Sequence, residues 1–154
     1  MADAATVVMK TTILPDEIAK DITATTTVSP KDANDKWYYK LTSITTTSAD
    51  LIAGRFLDYT AVDQDTDQTA VSTSDKVKFL FIQNTSSADG IYIVLDGGTA
   101  ANDVADGIFI GPSQTFVGRF PTTTVGNIHA ISSDIGDTGD ASATAIVCAL
   151  IDDV

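Results

Sequence analysis

Apolar and polar residues alternate at a period of two in one short stretch of this chain after another, and that rhythm restricts the fold more than any other feature. At 37–44, Trp37, Tyr39, Leu41 and Ser43 alternate with Tyr38, Lys40, Thr42 and Ile44. Successive side chains of a strand point to opposite faces, so this pattern marks a strand with one face buried and one more exposed. Residue usage agrees. Of the 21 acidic residues only Glu17 is a glutamate, and threonine recurs in the triplets Thr25-Thr26-Thr27, Thr45-Thr46-Thr47 and Thr122-Thr123-Thr124. Asp suits turns and caps, Glu suits helix interiors, and Thr, Val and Ile fit a pleated surface. The expectation is an all-β chain.

Strands are expected at 22–28, 37–44, 56–62, 76–83, 91–95, 107–110, 115–120, 125–132 and 143–151. Asp96-Gly97-Gly98 and Gly111-Pro112-Ser113-Gln114 punctuate them as turns. In 76–83, Val77, Phe79 and Phe81 fall on one face, with Lys76 and Lys78 opposite. Leu80 and Ile82 make the end of that strand apolar on both sides, as are 91–95 and 143–151. A strand apolar on both sides must be covered on both sides. The last and most apolar, 143–151, is expected in the centre of its sheet. Short strands at this spacing predict two packed antiparallel sheets, a β-sandwich or jelly roll. Residues 1–21 read as an extended N-terminal arm, with a helical turn at 15–20 opened by Pro15. Residues 22–154 read as one sandwich domain. A turn or short helical piece is expected at 48–54, and 63–74 reads as a long exposed loop of the kind that makes contacts.

The chain has 154 residues, enough for one core that buries roughly 68–70% of the surface an unfolded chain of that size exposes. No apolar run approaches the ~20 residues of a transmembrane helix. Met1-Ala2-Asp3-Ala4-Ala5 lacks the basic then apolar order of a secretory signal, which predicts synthesis in a cytoplasm. A net charge of −12 argues against nucleic acid as a partner, because phosphate binding needs a positive field.

Candidate chemistry is sparse. Asp63, Asp65 and Asp67 stand at i, i+2 and i+4 like the start of a calcium loop, but Gln68 occupies the position that needs Gly and Ser74 the one that needs a bidentate Glu. Asp134, Asp137 and Asp140 have turn composition. Both stretches read as solvated acidic loops. His129 is the only histidine and Cys148 the only cysteine. Neither has the spacing partners of a zinc site or a nucleophilic triad, so no catalytic, cofactor or metal residue is assigned. His129 is expected to be structural or to lie at a subunit contact, and Cys148 to fill the core. The cluster Trp37-Tyr38-Tyr39 has two readings. Alternation puts Trp37 and Tyr39 in the core with Tyr38 outside; a carbohydrate-binding module would instead expose Trp37 and Tyr38 as a sugar-stacking platform.

Asp75 to Thr85, Ile91 to Gly98, Ile108 to Pro112, Ile128 to Ser132 and Ala149 to Asp153 give the chain the style of tailed-bacteriophage structural proteins. It resembles capsid decoration (cement) proteins over about half its length, in style rather than by a signature motif. The resemblance implies a jelly-roll or β-sandwich subunit on the outside of a virion head, made in the host cytoplasm. It also implies self-association as a homotrimer, the major capsid protein as partner, and no catalytic residues. A tail, neck or fibre adaptor of the same virion would share this composition.

Overall fold

A computed structural model of the chain describes residues 4–13, 20–57, 69–101, 107–133 and 142–154. Two compact units are formed, Met1–Ala33 and Asn34–Val154. In the first, β1 (Ala5–Ile13) pairs antiparallel with β2 (Lys20–Val28), from Ala5 opposite Val28 to Ile13 opposite Lys20. The helical turn expected at 15–20 lies outside the described residues except for Lys20, which opens β2.

The second unit contains β3 (Asp35–Ile44), β4 (Ala49–Asp50), β5 (Lys76–Asn84), β6 (Gly90–Val94), β7 (Ile108–Ile110), β8 (Thr115–Arg119), β9 (His129–Ser133) and β10 (Ala143–Asp152). One sheet runs β3-β10-β5-β8 and the other β4-β9-β6-β7, and every pairing is antiparallel. The unit's first strand pairs with its last (β3 with β10), its second with its seventh (β4 with β9), and so inward to the β6–β7 hairpin. That is one long antiparallel ribbon rolled over so that β10 meets β5 and β9 meets β6. As its composition predicts, β10 lies between two strands, β3 and β5.

The two sheets form a sandwich around a shared core. Tyr38, Leu80, Ile82 and Val147 from one sheet pack in a cluster with Ile91, Ile93, Ile110 and Ala130 from the other. Burying each large aliphatic side chain contributes about 1.5–3 kcal/mol. A buried amide ties the layers together. Asn84, at the end of β5, donates from Nδ2 to the carbonyls of Asp89 (2.8 Å), Ile110 (3.2 Å) and Gly111 (3.0 Å), and its Oδ1 accepts from the Ser86 amide at 3.0 Å.

Three local expectations are corrected. The alternation in β3 is real but its phase is reversed: Tyr38 is 1% exposed and Tyr39 52%. Apolar counting favoured the Trp37 face because Lys36 and Lys40 share the other with Tyr38. Since β3 is an edge strand, those lysines reach the rim: Lys40 Nζ donates to the Ala53 carbonyl at 3.1 Å, and Lys36 Nζ stands 5.3 Å from the Phe56 ring. In β5, Val77 does not share a face with Phe79 and Phe81. Leu150 opposes Phe79 while Ile151 opposes Val77, so Lys78 is an extra, bulged residue and the phase changes there. Val77 joins Leu80 and Ile82 in the core. The strand expected at 125–132 starts only at His129, after a 3-10 turn at Val125–Asn127. Backbone groups of that turn serve other loops: Gly126 N–H donates to the Thr73 carbonyl at 2.9 Å, and the Asn127 carbonyl accepts from Gly97 at 3.0 Å. Gly97 sits at φ +82°, a conformation that glycine adopts without strain.

Phe56 and Leu57 are not in a strand; Arg55 instead bridges Ala70, and 58–62 lie outside the described residues. Of the expected loop 63–74, the first six residues likewise lie outside them. At 48–54 there is a two-residue strand, β4, followed by bends.

Candidate functional site: the outer face of the β3-β10-β5-β8 sheet

Register fixes which side chains share the face turned away from the core, because directly opposite residues lie on the same side. Trp37, Leu150, Phe79 and Arg119 form one row across the four strands. Tyr39, Cys148, Phe81 and Val117 form the next, and Leu41, Ile146, Gln83 and Thr115 the third. Two of the three rows are apolar except at Arg119, and the third is apolar over its first half. With strands ~4.8 Å apart and alternate residues ~6.8 Å apart, the rows span roughly 19 by 20 Å, or about 400 Å². Arg119, Gln83 and Thr115 interrupt this face, and the apolar remainder is of the size that is often functional on a protein surface.

The face is covered unevenly. Leu150 and Phe79 are buried, the latter with the Trp37 ring set edge-on at 6.2 Å between centroids. Tyr39 and Leu41, by contrast, are 52% and 62% exposed. At one end the face becomes charged. Asp35 and Asp152 oppose each other across β3 and β10, and the bulged Lys78 reaches both, at 2.5 Å and 2.9 Å. Burial works to lower the Lys78 pKa, but its hydrogen bonds to Asp35 and Asp152 outweigh it and hold the ammonium above its ordinary value. Beside this group, Lys78, Arg119, Phe120 and Pro121 line an open depression of about 350 Å³.

Cys148 belongs to this face and not to the inner core. It is half-buried between Tyr39 and Phe81, and burial pushes its thiol pKa up, away from the reactive thiolate. His129 lies on the other sheet. Its Nδ1 is 2.6 Å from the Gly98 carbonyl, and its Nε2 is 3.0 Å from Asp50 Oδ1, directly across the β4–β9 pair. Both ring nitrogens therefore engage groups that tie β4 and the Asp96-Gly97-Gly98 turn to β9. The other sheet carries a smaller aromatic pair on its outer side, Tyr92 and Phe109, with ring centroids 4.8 Å apart. Phe109 lies over Gly90 so closely that a Cβ there would meet its ring at 2.3 Å.

The aromatic cluster is split by the strand. Trp37 and Tyr39 face outward and Tyr38 inward, its hydroxyl donating to the Ala53 carbonyl at 3.0 Å. The acidic groups Asp63/Asp65/Asp67 and Asp134/Asp137/Asp140 lie outside the described residues. Sequence reasoning found that β5 and β10 are apolar on both sides but placed Tyr39 in the core. The bulge at Lys78, which decides what shares the face with Phe79, has no signature in the chain. Among the described residues, no helix is long and apolar enough to cross a membrane. Comparison of the chain with protein-family models, curated proteins and solved structures finds no match.

Proposed function

We propose that this chain is a structural subunit that works by assembling with copies of itself, and that its place is on a tailed-phage virion as a capsid decoration protein. The observation that carries the assembly reading is the apolar outer face of β3-β10-β5-β8, open at Tyr39 and Leu41. Exposed apolar patches of a few hundred Å² often mark interaction sites. A rigid sandwich with an interaction surface suits a cement protein, which bridges neighbouring major capsid proteins on the head as a homotrimer. The net charge of −12 fits a subunit that stays soluble at high surface density. The virion assignment itself draws on the style of the sequence.

Sedimentation at micromolar concentration tests the assembly reading: a trimer mass is expected, and a stable monomer sinks it. Copy number in purified particles tests the location. Hundreds of copies fit a head protein, whereas a handful would transfer the chain to the tail or neck. The carbohydrate-binding reading is not favoured, because it needs Tyr38 exposed beside Trp37 and Tyr38 is buried.

A further inference from the structure

We infer that copies of the chain join edge to edge, β3 of one pairing antiparallel with β8 of the next. This rests on the assembly reading and names the contact that makes it. The sheet ends on β3 at one side and on β8 at the other. A strand residue turns its N–H and C=O to the same edge, and successive residues turn to opposite edges. In β3 the Trp37 carbonyl accepts from the Leu57 amide at 2.9 Å, so Trp37 points away from β10. Ser43 points away as well, because Thr144 opposite it turns its carbonyl toward the β5 side, where it accepts from the Thr85 amide at 2.8 Å. Tyr39, Leu41 and Ser43 therefore aim their backbone groups out of the sheet, and among the described residues no strand meets them. At β8, Gln114 and Phe120 bond to Asn84 and Lys78 of β5, which leaves Thr115, Val117 and Arg119 aimed outward in the same way.

The two open stretches match in length, and each is closed at both ends. On β3 the limits are Trp37 and Thr45, whose carbonyls are taken by the amides of Leu57 and Ser132. On β8 they are Ser113, whose N–H is given to the Ser86 carbonyl, and Pro121, which has no N–H. Since β3 and β5 run one way and β8 the other, β8 meets β3 of a next copy antiparallel, with both outer faces on one side. Aligning the open residues sets Tyr39 opposite Arg119, Leu41 opposite Val117 and Ser43 opposite Thr115. The half-exposed Tyr39 ring then meets a guanidinium, and the exposed Leu41 gains an aliphatic neighbour. On the inner side Lys40 comes opposite Gly118, so no like charges oppose each other. The contact is heterologous and can close as a ring, as the trimer requires, whereas two β3 edges meeting would stop at a dimer. An overlap of 39–43 with 115–119 is only ~17 Å long, so one contact falls below the ~1,200 Å² of stable interfaces and is weak alone. Ring closure makes the last contact intramolecular and raises its effective concentration.

The test uses the full chain carrying Cys148→Ser, so that only introduced thiols react. Positions 41 and 117 would oppose each other as a hydrogen-bonded pair with Cα atoms ~5.5 Å apart, within disulfide reach. Leu41→Cys and Val117→Cys, mixed and mildly oxidised, are expected to give a linked dimer on a non-reducing gel. Neither variant is expected to do so alone. In parallel, Ser43→Pro removes one outward N–H without breaking a bond within the sheet. It is expected to weaken self-association at least tenfold by sedimentation while the urea midpoint of the dissociated chain stays unchanged. A linked dimer from Leu41→Cys alone means that two β3 edges meet, and overturns the inference. A wild-type trimer whose mixed variants stay unlinked, and whose Ser43→Pro form stays assembled, overturns it too, although the assembly reading stands. A wild-type monomer with no mixed link overturns both.

Discussion

Tyr38 and Tyr39 are neighbours in β3 with the same side chain, yet the first is 1% exposed and the second 52%. They belong to opposite faces of one four-stranded sheet. The inner face meets the other sheet, and its polar atoms are provided for: the Tyr38 hydroxyl donates to the Ala53 carbonyl and accepts from the Ala53 amide at 3.3 Å. The outer face is about as apolar but has no second layer described over Tyr39 and Leu41. The two faces therefore differ less in composition than in what lies opposite them. An apolar face that the fold itself fills contributes to stability, and one left open contributes to association.

Truncation on each face separates those roles most sharply. Leu80 is fully buried in the inner cluster. Leu80→Ala should cost about 3 kcal/mol in urea unfolding, through lost burial and the cavity left behind. Leu41→Ala, on the outer face, should stay within about 0.5 kcal/mol of wild type when both are measured as dissociated chains. Equal costs at the two positions would mean that the faces do not differ as described.

The charged end of the outer face should show a smaller but still clear effect. Asp35 is buried with a side-chain exposure of 1%, and Lys78 lies 2.5 Å from it and 2.9 Å from Asp152. Lys78→Met keeps the length of the stem but removes the ammonium that both carboxylates contact. A loss of about 2 kcal/mol is expected, less than for a fully buried pair because Lys78 is itself part-exposed. Adding Asp35→Asn to Lys78→Met should recover part of that loss. A Lys78→Met protein as stable as wild type would remove the group from any account of the fold.

Much of this molecule was legible in its sequence, for identifiable reasons. The alternation at 37–44, 76–83 and 143–151 located β3, β5 and β10, since strand periodicity is a local property of the chain. The apolar run at 143–151 foretold an inner strand because β10 has neighbours on both edges and is packed on its core side. What stayed hidden was phase. Lys36 and Lys40 on the Tyr38 face made that face look like the wet one, and only the edge position of β3 shows how long side chains escape to the rim. The bulge at Lys78 turned Val77 inward against Phe79 and Phe81, and a bulge depends on the partner strand. β1 was also missed: Thr6, Val8, Lys10 and Thr12 against Val7, Met9 and Thr11 are weakly contrasted, so alternation does not mark it as a strand.

The smallest effect expected is also the most specific to the inner face. Burial raises the Tyr38 phenol above its ordinary value of 10.0, against the opposing pull of its backbone hydrogen bond to Ala53. For a group raised in the folded state, the stability tied to its proton is fully present below the unfolded value and is lost as pH climbs through the folded one. Tyr38→Phe gives up the Ala53 contacts and should cost about 1 kcal/mol near pH 7. It also removes the alkaline penalty of ionising a buried phenol, so the gap between variant and wild type should narrow above about pH 10. Lys78 and Cys148, both raised, make wild type and variant alike lose stability in that range, which is why the difference is the quantity to follow. Urea titrations from pH 8 to 10.5 measure it. A gap constant across that range would place the phenol of Tyr38 in contact with water, and the distinction between the two tyrosines of β3 would collapse.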